Sequence, residues 1–402
     1  MINLFIGVAA FLVSGAASYL ITLWIQRRAH HSGWLDEPAD ARKIHHEVTP
    51  TAGGLGIAGG VAAGVSILFL ASTMGGLSFS LPHGVFWAGA LIMLVTGFVD
   101  DVHGASFKKK FFIQSAVAYG LLHFGYGVDV NAFLPFELGA YHATLLTVPL
   151  TMGWVVGVMN AVNFIDGLDG LAAGVVLIVL ATFGAIFGVQ GEWGLLFTSV
   201  VTTGALLGFL RFNFYPASIF MGDSGSLLLG YLAAVFPLTA PLDGHAGVST
   251  LVPVVVLGLP ILDTVTSITR RILNRQSIFS ADKDHIHHRL LRRLPEPDAV
   301  GGMYLVQVWF GLAAVLMVIM PPVWAYLICG MSAVVSVAWV IRLGYFDAHL
   351  PRPAAPPLQT PPLESSATSP ADISAQEVGP GEVTKEKAEP IDARSSVEMP
   401  DA

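Results

Sequence analysis

The chain has 402 residues, of which 54% are apolar and only 12% charged, against roughly 25% charged residues in an ordinary soluble domain. With a mean hydropathy of +0.67, this composition excludes a water-soluble globular enzyme and points to a polytopic membrane protein, in which lipid replaces a large buried core. One cysteine, Cys329, leaves no disulfide framework and no cysteine-ligated zinc site, and a net charge of −8 argues against nucleic acid as a partner.

Stretches of about 17–25 apolar residues can cross a bilayer as helix. They occur at 2–26, 53–73, 82–99, 111–127, 143–163, 170–190, 193–211, 224–241, 247–269, 302–320 and 322–342. The pattern predicts an all-α fold, a bundle of about eleven transmembrane helices forming one integral-membrane domain over residues 1–350. The first stretch lacks a basic leader and is followed by Arg27 and Arg28, which reads as an uncleaved anchor. With the N-terminus outside and the spans alternating, all 20 Lys and Arg residues fall on the inner side and the outer loops hold none, as the positive-inside rule requires. The C-terminus is then cytoplasmic. Residues 351–402 are rich in Pro, Ala, Ser, Thr and Glu, with nine acidic and four basic residues, and predict a disordered acidic tail that cannot bury enough apolar surface to fold.

Inside the spans ionisable residues are scarce, which argues against a transporter. Asp263 is the main exception, and a nearby arginine is its expected partner. The unusual polar residues collect instead in five inner loops. The first holds Trp34 to Pro38, Arg42, Lys43, His45, His46, Thr49-Pro50 and Gly53-Gly54, and the second holds Asp100-Asp101 and Lys108. Loop three runs Asn163-Phe164-Ile165-Asp166-Gly167-Leu168-Asp169-Gly170, and loop four runs Pro216-Ala217 to Phe220-Met221-Gly222-Asp223-Ser224-Gly225-Ser226. The fifth holds Asp282-Lys283-Asp284-His285-Ile286-His287-His288-Arg289.

Taken singly, Asp100-Asp101 reads as a helix cap and the Arg270-Arg271 and Arg292-Arg293 pairs as topogenic charge. Their joint occurrence on one face has the layout of a cytoplasm-facing active site. Carboxylates with Asn and Ser oxygens form a hard-oxygen site, and Mg²⁺ favours one or two carboxylates plus substrate phosphates. Arg, Lys and His beside them suit phosphate oxygens. Metal-binding acids next to phosphate-binding bases suggest phosphoryl transfer, which runs on positioning and electrostatic stabilisation. The interfacial location suggests that one substrate is a lipid phosphate.

These segments resemble the polyprenyl-phosphate N-acetylhexosamine-1-phosphate transferases. The likeness rests on Asp-x-Pro-x-x-x-Arg-Lys-x-His from Asp36, Thr-Pro-x-x-Gly-Gly from Thr49, the Asp100-Asp101 pair, Asn-x-x-Asp-Gly-x-Asp-Gly-Leu from Asn163 and Pro-Ala-x-x-Phe-Met-Gly-Asp-x-Gly-Ser from Pro216. It spans about residues 33–293 and excludes the tail. The His-Ile-His-His form at His285 to His288 resembles the bacterial branch that uses UDP-N-acetylglucosamine. The peptidoglycan branch, which takes UDP-N-acetylmuramoyl-pentapeptide, shows a His-His-His run. Val102-His103-Gly104 follows the Asp pair where some members place a further Asp.

The resemblance implies transfer of N-acetylglucosamine-1-phosphate from UDP-N-acetylglucosamine to undecaprenyl phosphate with release of UMP, at the bacterial inner membrane, with Mg²⁺ or Mn²⁺ as cofactor and a homodimer as a permitted assembly. It implies Asp223 as metal ligand, Asp100 with Asp101 at the lipid phosphate, and Asn163 and Asp166 at the metal–diphosphate assembly. It further implies Asp169, Gly167, Leu168 and Phe220 at the nucleotide. For phosphates and sugar it implies His285, His287 and His288, with Lys108, Arg42, Lys43 and His45 as additional contacts. An intramembrane aspartyl protease is the competing class, but it needs two aspartates sharing a proton at membrane depth, whereas these acids lie in loops among basic residues.

Overall fold

The computed structural model describes residues 2–32, 35–36, 49–74, 81–133, 137–240, 250–277 and 285–344. Arg42, Lys43, His45 and the tail at 351–402 lie outside the described residues. Helix dominates: α1 (Ile2–Ser32), α2 (Gly53–Thr73), α3 (Gly84–His103), α4 (Phe107–Leu122), α5 (Ala140–Ile165), α6 (Leu171–Gln190), α7 (Trp193–Asn213) and α8 (Gly222–Val235). After these come α9 (Val252–Val256), α10 (Gly258–Leu273), α11 (Ile286–Leu291), α12 (Glu296–Ile319) and α13 (Pro322–Arg342). Among the described residues the only strands are β1 (Leu35–Asp36) and β2 (Thr49–Pro50), paired antiparallel with Leu35 opposite Pro50 and Asp36 opposite Thr49.

Eight of these helices, α1, α2, α3, α5, α6, α7, α12 and α13, are long and apolar enough to cross a membrane, so the chain is an all-α polytopic membrane protein. The three remaining apolar stretches form shorter or broken helices. α4 opens with Lys108, Lys109 and Lys110, which shortens its apolar length. α8 passes at its C-terminal end into a 3-10 turn, Phe236–Leu238, that contains Pro237. The stretch at 247–269 breaks at Leu257 between α9 and α10. Pro260 lacks the N–H that would bond the Val256 carbonyl four residues earlier. Gln307 of α12 donates its Nε2–H to that carbonyl at 2.8 Å instead, which satisfies a backbone group that has no water to turn to.

α8 is the axis of the bundle. Its residues from Ser224 to Val235 are buried, and it packs against α2, α3, α5 and α6. Backbones approach it closely because the partners present glycine: a Cβ on Gly97 of α3 would come within 2.2 Å of the Asp223 carbonyl oxygen, and one on Gly54 of α2 within 2.3 Å of the Gly225 nitrogen. Small residues of this kind drive helix association where lipid removes the hydrophobic incentive. α1 and α13 are the outermost of the long helices, with only 22% and 17% of their apolar windows buried, against 67% and 72% for α6 and α7. Their exposed Phe5, Leu12, Trp324 and Val334 form an apolar surface suited to lipid.

Candidate active site

The helix ends that carry the polar motifs converge on one end of the bundle. The N-terminus of α2 docks on loop four through Phe220 N–H to the Pro50 carbonyl at 2.7 Å, and through Gly53 and Gly54 N–H to the Phe220 and Met221 carbonyls, each at 3.0 Å. Gly222 takes the left-handed φ of +70°, and a Cβ there would lie 2.2 Å from the Thr51 carbonyl oxygen, so only glycine fits the turn that starts α8.

The adjacent Asp100 and Asp101, at the C-terminal end of α3, do different work. Asp101 accepts Asp223 N–H at 2.7 Å and Ser224 N–H at 3.0 Å. It thus caps α8 from a neighbouring helix, where orphan donors and the positive end of the helix dipole meet. Asp100 accepts Ala105 N–H through Oδ1 and the Lys110 ammonium through Oδ2 at 2.5 Å. The same Lys110 Nζ donates to Asp223 Oδ2 at 2.8 Å. Asn163 of α5 donates to Asp223 Oδ1 and to Ser226 Oγ, both at 2.8 Å. Four helices therefore place Asp100, Lys110, Asn163 and Asp223 in one partly exposed cluster.

Lys108 lies on the exposed face of α4, and Lys110, two residues on, enters the cluster. Three consecutive lysines at the start of a helix point in directions about 100° apart. Which one turns inward depends on how α4 docks, and no local pattern in the sequence reports that.

Asp166 follows the end of α5. Desolvation and the negative charges of Asp223, Asp101 and Asp169 push its carboxyl up to about 8. Asp169 accepts Ala217 N–H of loop four through Oδ2 at 2.8 Å and donates its own N–H to Glu296 Oε1 of α12 at 3.0 Å. Tyr304 of α12 donates to the Gly170 carbonyl at 2.7 Å, where Gly170 turns the chain into α6 with φ +75°. α12 thus braces the Asp166-to-Gly170 loop with two residues, Glu296 and Tyr304, that lie outside every motif read from the sequence. Leu168 is buried beneath this loop, Gly167 is exposed and Phe220 is half-buried.

The histidine loop closes the site. His285 lies 5.8 Å, centroid to centroid, from Phe164 and is stacked at 5.7 Å on His287, whose ring is 4.2 Å from His288. His287 is only 1% exposed and packs beneath Gly167, where a Cβ would meet its Nε2 at 2.6 Å. Burial, with the nearby His288, pushes the His287 imidazole down to about 3. Asp263 bonds to His285 at 2.7 Å, not to an arginine as its position near the inner interface suggested.

Among the described residues no three His, Cys, Asp or Glu side chains group as a metal site. A Mg²⁺ ion needs fewer, since it takes one or two carboxylates and fills its shell with phosphates and water. Asp100 Oδ2 and Asp223 Oδ2 both reach one ammonium, so they approach closely enough for one small hard cation, and the oxygen-only donor set fits it.

The model of the family described as Glycosyl transferase family 4 matches residues 83–241, the stretch that supplies Asp100, Lys110, Asn163 and Asp223. A Bacillus subtilis (strain 168) protein named "Probable undecaprenyl-phosphate N-acetylglucosaminyl 1-phosphate transferase" is 40% identical over 311 residues, covering 77% of this chain and 84% of that protein. The decaprenyl-phosphate N-acetylglucosaminephosphotransferase of Mycolicibacterium smegmatis is 35% identical, covering 75% of this chain and 79% of its own. The undecaprenyl-phosphate alpha-N-acetylglucosaminyl 1-phosphate transferase of Escherichia coli K12 is 27% identical, with 68% and 73% covered. With the site and these relatives in agreement, the chain belongs to glycosyl transferase family 4, in its branch of polyprenyl-phosphate N-acetylglucosaminyl 1-phosphate transferases.

Proposed function

We propose that this enzyme transfers N-acetylglucosamine-1-phosphate from UDP-N-acetylglucosamine to undecaprenyl phosphate at the cytoplasmic face of a bacterial inner membrane, giving undecaprenyl-diphospho-N-acetylglucosamine and UMP. The observation that carries this reading is the cluster of Asp100, Lys110, Asn163 and Asp223, with Asp101 bonding α3 to the start of α8, Asp169 bonding the Asp166-to-Gly170 loop to loop four, and the histidine loop packed against Phe164 and Gly167. The relatives' names, which specify an N-acetylglucosaminyl 1-phosphate group and a polyprenyl phosphate, support it. The confinement of every Lys and Arg to alternate loops supports eleven crossing segments, an outside N-terminus and a cytoplasmic site.

In the reaction a lipid phosphate oxygen attacks the phosphorus that bears the sugar, and the bond from that phosphorus to the UMP oxygen breaks. The lipid phosphate is already largely ionised near neutral pH, so the demand on the protein is positioning and charge stabilisation more than proton removal. Asp100 and Lys110 lie where the incoming phosphate is oriented, the ammonium offsetting its charge. Asn163 holds Asp223 in place, and the loop from Asp166 to Gly170 receives the nucleotide. Mg²⁺ or Mn²⁺, held by Asp223 with Asp100, would supply Lewis-acid stabilisation of the diphosphate charge.

The test is UMP release by detergent-purified protein given undecaprenyl phosphate, Mg²⁺ and, in turn, UDP-N-acetylglucosamine, UDP-N-acetylgalactosamine and UDP-N-acetylmuramoyl-pentapeptide. Lipid-dependent, EDTA-sensitive release from the first alone is expected. Release from the third alone would move the substrate to the peptidoglycan branch, and release from none would defeat the reading.

A further inference from the structure

Asp263 is a carboxylate on α10 with none of its surface exposed. Burying a charge there is costly unless its oxygens are fully engaged, and both are. Oδ1 accepts Ile286 N–H at 2.7 Å, and Oδ2 lies 2.7 Å from His285 Nδ1. Ser267, one helical turn along α10, lies 3.3 Å from the same nitrogen. A carboxylate only accepts, so the short contact assigns the hydrogen to Nδ1 and leaves Nε2 as the ring's other nitrogen. Phe164, next to Asn163, and His287, beneath Gly167, border the imidazole. The ring is therefore held on one side by α10 and on the other by the last turn of α5.

We propose that Asp263 is a positioning residue that ties the histidine loop to α10 and fixes His285 as its Nδ1–H tautomer, with Nε2 kept as the nitrogen that meets the substrate diphosphate. The substrate part of this rests on the transferase reading above; the tautomer does not. A carboxylate behind a histidine sets both ring orientation and tautomer, and behind a metal-bound histidine such a partner is worth about 10–100-fold in metal affinity or activity, which sets the scale expected here. Asparagine at 263 breaks the arrangement without changing its shape. With its single oxygen on Ile286 N–H, the amide NH₂ faces Nδ1 and favours the opposite tautomer.

The experiment uses the full-length protein in detergent, ¹⁵N-labelled at histidine, with the His285 signals identified by their loss in His285→Gln. Wild-type protein is expected to show His285 protonated at Nδ1, and Asp263→Asn to shift it toward Nε2–H. An Nε2–H tautomer in the wild type would overturn the proposal, whatever the activity assays give. In UMP release, Asp263→Asn is expected to lose about 10–100-fold in kcat with the KM for the UDP-sugar within about threefold, while Asp263→Asn combined with His285→Gln falls no lower than His285→Gln alone. Losses that multiply would make Asp263 a purely structural residue. A wild-type protein that releases no UMP from any UDP-sugar would defeat the transferase reading instead, and the tautomer would still decide the role of Asp263.

Discussion

Two groups of ionisable side chains share one end of the bundle and follow opposite physical rules. Around Asp100, Lys110 and Asp223 charge is kept and balanced: the ammonium bonds both carboxylates, and the three side chains are 10–28% exposed. Around Asp263, His285 and His287 charge is buried or suppressed: Asp263 has no exposed surface, and the His287 imidazole stays neutral at any physiological pH. On the proposed function, the first arrangement is the one that would exchange its ammonium for a metal cation and admit a phosphate. The second is a rigid wall that gives the site its shape.

The sharpest way to break this contrast is to remove charge from the first group. Asp223→Ala and Asp100→Asn are each expected to cut UMP release by at least about 10²–10³-fold, the usual loss when a group that stabilises developing charge is removed. Gel filtration and melting temperature would check that the variants remain folded. A near-normal rate in either would take that carboxylate out of the reaction. The neighbouring Asp101 should separate cleanly from them, because its oxygens are committed to α8. Asp101→Ala leaves the Asp223 and Ser224 N–H groups without acceptors, and a stability loss of about 1–3 kcal/mol is expected, read as a lower melting temperature even with EDTA present.

That separation marks the limit of what the sequence discloses. The apolar runs report the helices because lipid demands an unbroken stretch of about 17 residues or more, and the motifs report which loops gather. The division of labour between Asp100 and Asp101 does not follow from their adjacency. It depends on the angle at which α3 meets α8, which the close contact at Gly97 fixes. The same holds for Lys110 over Lys108, and for Asp263 finding His285 across 22 positions of chain. Glu296 and Tyr304 carry no motif at all, because a brace contributes only hydrogen bonds to backbone groups, and many side chains can make those from many positions.

A milder perturbation tests the exchange of cations directly. Lys110→Met leaves Asp100 and Asp223 facing each other without their shared ammonium, so the metal-free variant is expected to melt below the wild type. Added Mg²⁺ should then raise its melting temperature more than it raises that of the wild type, since a ligand stabilises in proportion to its affinity for the folded state. Equal shifts in the two proteins would mean that the ammonium and the metal do not compete for the same pair of oxygens.

The finest test sets the two groups against each other through pH, because their signs differ. His287 falls from 6.5 to about 3 on folding, so the unfolded chain binds the proton more readily. Its contribution is fully present above about pH 6.5 and is lost as pH drops toward 3. Asp166, beside the carboxylate group, rises from 3.8 to about 8, so the folded chain holds the proton. Stability then falls as pH climbs from about 4 to about 8. In EDTA, His287→Gln should flatten the acid limb of the melting profile below pH 6.5, and Asp166→Asn should flatten the alkaline limb between pH 4 and 8. Each effect is a few degrees at most, since one group is neutralised in a large bundle, and Mg²⁺ should shrink only the second, by screening the negative charges that hold the Asp166 proton. A metal effect on the acid limb would mean that the histidine wall and the carboxylate cluster titrate as one unit, and the division between a partly exposed, charge-balanced centre and a buried boundary would fail.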